Sequence, residues 1–247
     1  MKGLFITATD TNVGKTMITG AIAAACKERG INIGVFKPLA SGGIVNEAGE
    51  LVSEDANFLM KAAKIGEEKR REVNEVCLGP AMTPAVAAKI TGKTIDMEKL
   101  ALHIEERSKQ YDLVLVEGVG GLAAPLWQDY CVTDFIERLG LPALLVADAG
   151  LGSINHTVLS AFYAKEHNVR LRGIILNRWD DREEEVLNET NAAYIEQFTQ
   201  LPIWGKMPIT NTISVEKNCT EKLAQIAQAN LAIEKIIDCM KIEGGIR

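Results

Sequence analysis

The chain has 247 residues, of which 47% are apolar, and a formal net charge of −6. That apolar content excludes a disordered chain, and the acidic balance argues against nucleic-acid binding through a broad basic face, leaving room only for a local basic pocket. The longest apolar runs, such as Pro142 to Ala147, are too short to cross a bilayer.

The length suits one large α/β domain or two small ones, and no repeat or low-complexity linker divides it, so residues 1–247 read as a single domain. Gly3–Thr7 is the first candidate strand. It is short and leads into Thr and Asp instead of a small-residue cleavage site, so it does not read as a signal peptide. It runs into Ala8-Thr9-Asp10-Thr11-Asn12-Val13-Gly14-Lys15-Thr16, and a helix is expected over Lys15–Arg29 with Gly30 as its stop. A strand, a loop ending Gly-Lys-Thr and a helix form a phosphate site. Helix N-terminal amides and the macrodipole attract the anion, Gly14 lets the backbone approach it, Lys15 reaches the β/γ-phosphates and the Thr16 hydroxyl faces Mg²⁺. The loop is irregular: Thr9 stands where the standard Gly-x-x-x-x-Gly-Lys-Ser/Thr pattern has glycine.

Ile33–Phe36 is the second strand, and it ends at Lys37-Pro38-Leu39-Ala40-Ser41-Gly42-Gly43. A lysine at a strand end is ordinarily a surface charge. Beside a phosphate loop it would project over the γ-phosphate, where phosphoryl transfer needs cations. Residues 41–53 have few large apolar side chains and read as a mobile surface loop. Asp55 opens a helix over Glu54–Ala63, and is either a Mg²⁺ ligand or an acid complementing the helix dipole. Asp96–Gln110 is a helix with Leu100, His103 and Ile104 on one face. Leu113–Glu117 is the next strand. It delivers the Glu117 carboxylate to the sheet's functional edge, where Gly118-Val119-Gly120-Gly121 clear the space around it. Strands follow at Ala143–Ala147 and Gly173–Asn177, and helices at Ser153–His167, Asp180–Gln200 and Thr220–Lys241. The last of these carries Leu223, Ile226, Ala227, Leu231, Ile233 and Ile237 as its core face.

The strands lack strict alternation, as expected when both faces of a parallel sheet are buried. The expected fold is α/β: a doubly wound, mainly parallel sheet with helices on both faces, P-loop NTPase-like, with ligands at the carboxyl ends of the strands. Cys26, Cys77, Cys131, Cys219 and Cys239 are scattered, without a Cys-x-x-Cys, and read as free thiols of a cytoplasmic protein. His103, His156 and His167 make no metal-ligand spacing. No Ser-His-Asp or Cys-His signature suggests a protein nucleophile.

Four blocks in order, Thr9-Asp10-Thr11-x-Val13-Gly14-Lys15-Thr16, Lys37-Pro38-x-Ala40-Ser41-Gly42, Val116-Glu117-Gly118-x-Gly120-Gly121 and Leu151-Gly152-x-Ile154-Asn155-His156, followed by Asn177, resemble the dethiobiotin synthetase family. The resemblance runs to about residue 210. It implies an ATP- and Mg²⁺-dependent enzyme that carboxylates 7,8-diaminopelargonate with CO₂ and closes a cyclic urea through a carbamate and a carbamic–phosphoric anhydride, the penultimate step of biotin synthesis. By the same resemblance Asn12, Val13, Gly14, Lys15, Thr16 and Met17 hold ATP phosphates, and Thr16, Asp55 and Glu117 hold Mg²⁺. Lys37 is catalytic, with Lys15 and Thr11 beside the transferring group. Gly118, Val119, Gly120, Asn177, Arg178, Pro208, Ile209 and Thr210 complete the nucleotide site. Ser41 contacts the diamine, while Leu151, Gly152, Ser153, Ile154 and Asn155 bind the carboxylate of the substrate held by the partner subunit, which makes a homodimer. No nucleic-acid or membrane partner is implied. The chain departs from the family at Ala8, usually Gly, and at Ser153, often Cys.

Two other readings share the phosphate loop. A partition-type ATPase usually has Lys-Gly-Gly-x-Gly-Lys-Thr, whereas Asp10-Thr11-Asn12 fills those first positions here. An amide-forming synthetase of the cobyrinic acid kind needs a glutaminase domain for which 247 residues leave little room.

Overall fold

The computed structural model describes residues 1–180 and 185–242. Six strands form the central sheet: β1 (Gly3–Ala8), β2 (Ile33–Phe36), β3 (Leu113–Glu117), β4 (Ala143–Asp148), β5 (Leu171–Trp179) and β6 (Ile203–Pro208). Their order is β6-β5-β4-β1-β3-β2, and every neighbouring pair is parallel. The strands that follow β1 fill one side of it as far as β3 and then the other. That reversal opens a crevice at the carboxyl ends of the central strands, where such sheets bind ligands.

The sheet is covered on both faces. The first face is packed by α1 (Lys15–Glu28), α2 (Glu54–Ala62), α8 (Leu223–Asn230) and α9 (Ile233–Lys241), with Ile18, Ile22, Phe58, Leu59, Leu223, Ile236 and Met240 in its core. The second is packed by α3 (Pro84–Thr91), α4 (Met97–Ser108), α5 (Val132–Leu139), α6 (Ser153–Glu166) and α7 (Glu185–Thr199), around Phe5, Phe36, Leu100, Phe135 and Ile195. Every residue of β1, β2 and β3 is buried, which is why none of them alternates in sequence. The expected doubly wound fold is the one observed. α1 is sandwiched between α2 and α8 and buries nearly all of its circumference, so its side chains form no single stripe.

Four expectations are corrected. β6 was not anticipated: it is the edge strand beside β5, and its Gly205, Lys206 and Pro208 interrupt the apolar run that marks a buried strand. Loop 41–53 contains a two-stranded hairpin, Ile44–Val45 against Leu51–Val52, whose turn is fixed by Asn46 Oδ1 accepting from the amides of Ala48 and Glu50. Two eight-residue helices, α3 and α5, were missed. The expected C-terminal helix over Thr220–Lys241 is α8 and α9 with a break between them, and Thr220 belongs to a hairpin that pairs Ile213–Ser214 with Cys219–Thr220. The expected helix at 180–200 is observed over Glu185–Thr199; residues 181–184 lie outside the described ones.

The break has a physical cause. β6 presses against the end of α8 at Gly205, which forms an antiparallel bridge with Leu231, and Ala232 donates to the Trp204 carbonyl at 2.7 Å. A Cβ at position 205 would lie 2.7 Å from the Asn230 carbonyl oxygen and 3.0 Å from the Leu231 Cα, backbone atoms that cannot turn aside. The edge strand therefore captures the chain at Leu231 and restarts the helix. Gly205→Ala is expected to destabilise the protein by about 1–3 kcal/mol, the scale of overpacking, read as a lower urea midpoint at constant m-value. An unchanged midpoint would show that this contact does not constrain the junction.

Candidate active site

The phosphate loop is shaped from below by β5. Asn177 Nδ2 donates to the Val13 carbonyl at 2.8 Å, and the Arg178 guanidinium donates to the Asn12 carbonyl while pairing with Asp148 at the end of β4. Two loop carbonyls are thereby turned down toward the sheet. Asn12 and Gly14 both adopt positive φ, 62° and 94°. A Cβ at Gly14 would overlap the Asn177 carboxamide, so glycine is required there twice over, by conformation and by space. No side chain caps α1 at Gly14, which leaves the first amides of the helix for an anion. Lys15 curls over the loop, its Nζ donating to the Asp10 carbonyl at 3.0 Å.

Lys37 leaves β2 one residue beyond the ladder and turns inward. It is 3% exposed, and its ammonium has three acceptors: Glu117 Oε1 at 2.7 Å, Asp55 Oδ2 at 2.9 Å and the Gly118 carbonyl at 2.9 Å. Thr16 Oγ1 donates to the same Glu117 oxygen at 2.8 Å. Asp55 reaches the site because Ser53 takes over the capping of α2, accepting from the Ala56 amide at 3.3 Å. Its carboxylate is thus directed at Lys37 and is not held back to cap its own helix.

The two lysines titrate in opposite directions. Burial alone would lower the Lys37 pKa, but the charges and hydrogen bonds of Asp55 and Glu117 outweigh it and hold the ammonium well above the ordinary range. Burial likewise opposes the Asp55 charge, yet Lys37, helped by Thr16 and Lys15, keeps its pKa below that of an ordinary carboxyl. Lys15 lacks an adjacent carboxylate: burial, then repulsion from Lys37, brings its pKa down to about 8.

A cavity of about 1490 Å³ opens above these groups. Of the anticipated residues, Thr11, Asn12, Gly14, Lys15, Thr16, Met17, Lys37, Ser41, Asp55, Val119, Gly120, Asn177, Arg178, Pro208, Ile209 and Thr210 all line it. Val13, Glu117 and Gly118 are not among the lining residues; Val13 is buried, while Glu117 and Gly118 meet the Lys37 ammonium from beneath. Leu151 to Asn155 do not reach this chain's own cavity. They begin α6 on the outer surface, where Leu151 is 91% exposed and the Ser153 hydroxyl is buried without a partner. Residues the sequence reading missed also form walls: Ile213 to Glu216 from the late hairpin, Ala81 to Pro84 before α3, and Leu159, Ser160 and Tyr163 of α6. Short turn segments and one helix's second turn carry no local motif, so only the tertiary fold reveals them.

The donor set fits Mg²⁺. Thr16, Asp55 and Glu117 offer hard oxygens only, and Glu117 Oε2 is buried with no hydrogen-bond partner. Among the described residues no group of three or more His, Cys, Asp or Glu side chains forms a metal cage. A cation that takes few protein ligands and keeps its waters suits such a site; zinc does not.

The chain is similar to known proteins in sequence and in fold. The AAA domain family matches residues 2–217. The ATP-dependent dethiobiotin synthetase BioD of Bacillus thuringiensis (strain Al Hakam) is 35% identical over 246 residues, covering 100% of this chain and 98% of that protein. The enzyme of the same name from Bacillus licheniformis is 38% identical over 208 residues, 84% of this chain and 86% of that one. Among solved structures, a ParA family ATPase from Chlorobium tepidum covers 97% of both chains at a TM-score of 0.54 and 15% identity. The MinD cell division protein of Aquifex aeolicus aligns over 97% of this chain and 95% of its own at a TM-score of 0.54 and 18% identity. These two share the fold alone.

The lowered Lys15 pKa is a statement about stability. Between pH 8 and 10.5 the unfolded chain holds a proton that the ligand-free folded site has lost, so stability rises with pH across that window. Below it the full penalty stands. Lys15→Met is therefore expected to be more stable than the parent at pH 7 by about 1–3 kcal/mol without ligand, with the gap closing toward pH 10.5, while losing triphosphate binding. Urea titrations at both pH values check it. A variant no more stable than the parent at pH 7 would contradict the burial penalty.

Proposed function

The chain belongs to the family of ATP-dependent dethiobiotin synthetases, and from that premise we propose how its residues divide the work of closing a cyclic urea on 7,8-diaminopelargonate with CO₂, in the penultimate step of biotin biosynthesis. The observation that carries the reading is the Lys37 ammonium, fixed by Asp55, Glu117 and Gly118 in the floor of the cavity beside the phosphate loop.

One amine of the substrate takes up CO₂ as a carbamate. A carbamate oxygen attacks the γ-phosphoryl of ATP and releases ADP, giving the carbamic–phosphoric anhydride. The second amine then attacks its carbonyl, closes the ring and expels phosphate. No protein nucleophile is needed; the chain positions reactants and holds charge. Asn12 to Met17 cradle the phosphates with the free amides of α1. Lys37 keeps its proton, because two carboxylates hold its pKa high, so it acts as an electrostatic donor toward the transferring phosphoryl and not as a base. Lys15 and Thr11 flank that group. Thr16, Asp55 and Glu117 would hold Mg²⁺, which when bound neutralises charge on the phosphate oxygens. Gly118, Val119 and Gly120 let the chain after β3 pass the loop closely; a Cβ at Gly121 would already meet the Thr9 carbonyl at 3.2 Å. Asn177, Arg178, Pro208, Ile209 and Thr210 wall the base, and Ser41 faces the diamine.

We further propose a cytoplasmic homodimer of one domain per chain, acting on small molecules with neither nucleic acid nor membrane as partner. Leu151 and Phe162 on α6 and its entry, with Tyr194 and Phe198 on α7, are exposed apolar side chains that a second copy would cover. That contact would carry Leu151 to Asn155 to the other subunit's diamine. The uncapped N-terminus of α6 at Gly152 and the unpartnered Ser153 hydroxyl suit its carboxylate.

Protein supplied with MgATP, labelled bicarbonate and the diamine is expected to place label in an acid-stable cyclic urea only when ATP is present; absence of that product sinks the assignment. Lys37→Met should lower kcat by at least ~100-fold, the scale of losing one transition-state donor, while triphosphate still binds. A near-parental kcat would remove Lys37 from the chemistry. Asp55→Asn should raise the Mg²⁺ concentration needed for half-maximal rate, and an unchanged Mg²⁺ titration would leave Asp55 only its ion pair with Lys37.

A further inference from the structure

Lys37 is anchored at both ends, and the anchor at its backbone end comes from outside the active cavity. The residue lies past the last β2–β3 partners, Phe36 and Val116, and directly before Pro38. Its amide and carbonyl are therefore beyond the strand ladder, and the following residue has no N–H to contribute. Both groups are met by one short segment. The Lys37 amide donates to the Val73 carbonyl at 2.8 Å, and the Lys37 carbonyl accepts from Asn74 Nδ2 at 2.6 Å. Asn74 Nδ2 also donates to the Val76 carbonyl at 3.2 Å, and the Val76 amide returns to the Pro38 carbonyl at 3.0 Å. The 73–76 segment thus holds the chain on either side of the proline, the Asn74 carboxamide at the Lys37 carbonyl and the Val76 amide at the Pro38 carbonyl.

Asn74 is suited to hold a position. It is buried, and its own amide donates to the Arg70 carbonyl at 2.8 Å, closing the one-turn helix Arg70–Val73. With two carbonyls before its Nδ2, the orientation of the amide is determined by the hydrogen bonds themselves. Asn74 does not line the cavity that holds Lys37, Ser41 and the phosphate loop. It lines a separate cleft of about 780 Å³, together with Glu75, Val76 and Cys77. It therefore touches neither nucleotide nor diamine.

We propose that Asn74 is a positioning residue for the reaction: it fixes the Lys37 backbone so that the ammonium is held by Asp55, Glu117 and the Gly118 carbonyl with its charge beside the transferring phosphoryl. The inference rests on the role of Lys37 given above. All three ammonium protons already have acceptors at 2.7–2.9 Å, so a backbone shift of about 1 Å breaks at least one of them, a displacement that costs reaction rate steeply. Asn74→Asp keeps the shape and replaces the donor by an acceptor against the Lys37 carbonyl, and Asn74→Ala removes the group.

The test is a double-mutant cycle on the full-length enzyme, run beside parental enzyme whose product formation confirms the reaction itself. Asn74→Ala and Asn74→Asp are each expected to lower kcat by about tenfold or more, with KM for ATP within about twofold of the parent, since the phosphate loop has anchors of its own on β5. In the Lys37→Met background the same changes should leave the residual kcat unaltered, because the group they position is gone. Equal losses in both backgrounds, or a rise in KM with kcat intact, would overturn the proposal in favour of a general structural role. Failure of both Asn74 variants to fold would do the same. Should the parent make product and the Asn74 variants match it, the proposal fails while the reaction stands.

Discussion

A lysine at 3% exposure cannot stay charged unless its surroundings replace the water it has lost. Lys37 achieves this with the Asp55 carboxylate from α2 and with the Glu117 carboxylate and Gly118 carbonyl at the end of β3, two pieces of chain that the fold brings together. The ion group is therefore also a statement about architecture. β2 must lie beside β3 to bring Lys37 over Glu117, and α2 must pack on the sheet face at β2 to bring Asp55 to the same point. Removing Lys37 would leave Glu117 as a buried charge without its counter-ion, an imbalance worth about 3–5 kcal/mol. The cluster thus links correct folding to an assembled site.

The glycines and the loop geometry follow from the same constraint. Where the segments that carry these groups cross, there is no room for an extra side-chain atom. Gly14 meets Asn177, Gly121 meets Thr9 and Ala8, and a Cβ at Gly118 would come within 2.9 Å of the Phe5 ring. β5 supplies the complementary part by turning the Asn12 and Val13 carbonyls away from the phosphate position. At the phosphate loop itself this leaves amide N–H groups and the Lys15 ammonium, which attract anions.

The sequence disclosed the parts of this design whose signals are local. Buried parallel strands announce themselves as unbroken apolar runs, so β1 to β5 were legible, and Gly14-Lys15-Thr16 between a strand and a helix marks its own chemistry. β6 was hidden because an edge strand tolerates the glycine, lysine and proline that otherwise signal a turn. The break at Leu231 was hidden because residues 220–241 keep a helical spacing of Leu223, Ala227, Leu231 and Ile237 that only the backbone of Gly205 interrupts. Asp55 shows the limit at single residues. Its place at the start of a helix leaves both a dipole role and a ligand role open, and only the tertiary fold shows that its carboxylate meets Lys37. Of the cavity walls, the Ile213–Glu216 turn and the inward side of α6 depend wholly on tertiary contact.

The two lysines show how one site can hold opposite electrostatic tasks. Together with Asp55 and Glu117 they sum to no net charge, yet the balance is uneven: both carboxylates serve Lys37, and Lys15 has only a carbonyl. Lys37 is thus a permanent cation whose position is settled before any ligand arrives. Lys15 is strained as a cation, with a pKa near 8, until a polyanion enters. A triphosphate would supply the missing counter-charge and raise that pKa. Preorganisation belongs to Lys37 and responsiveness to Lys15, and the difference arises from where two carboxylates were placed.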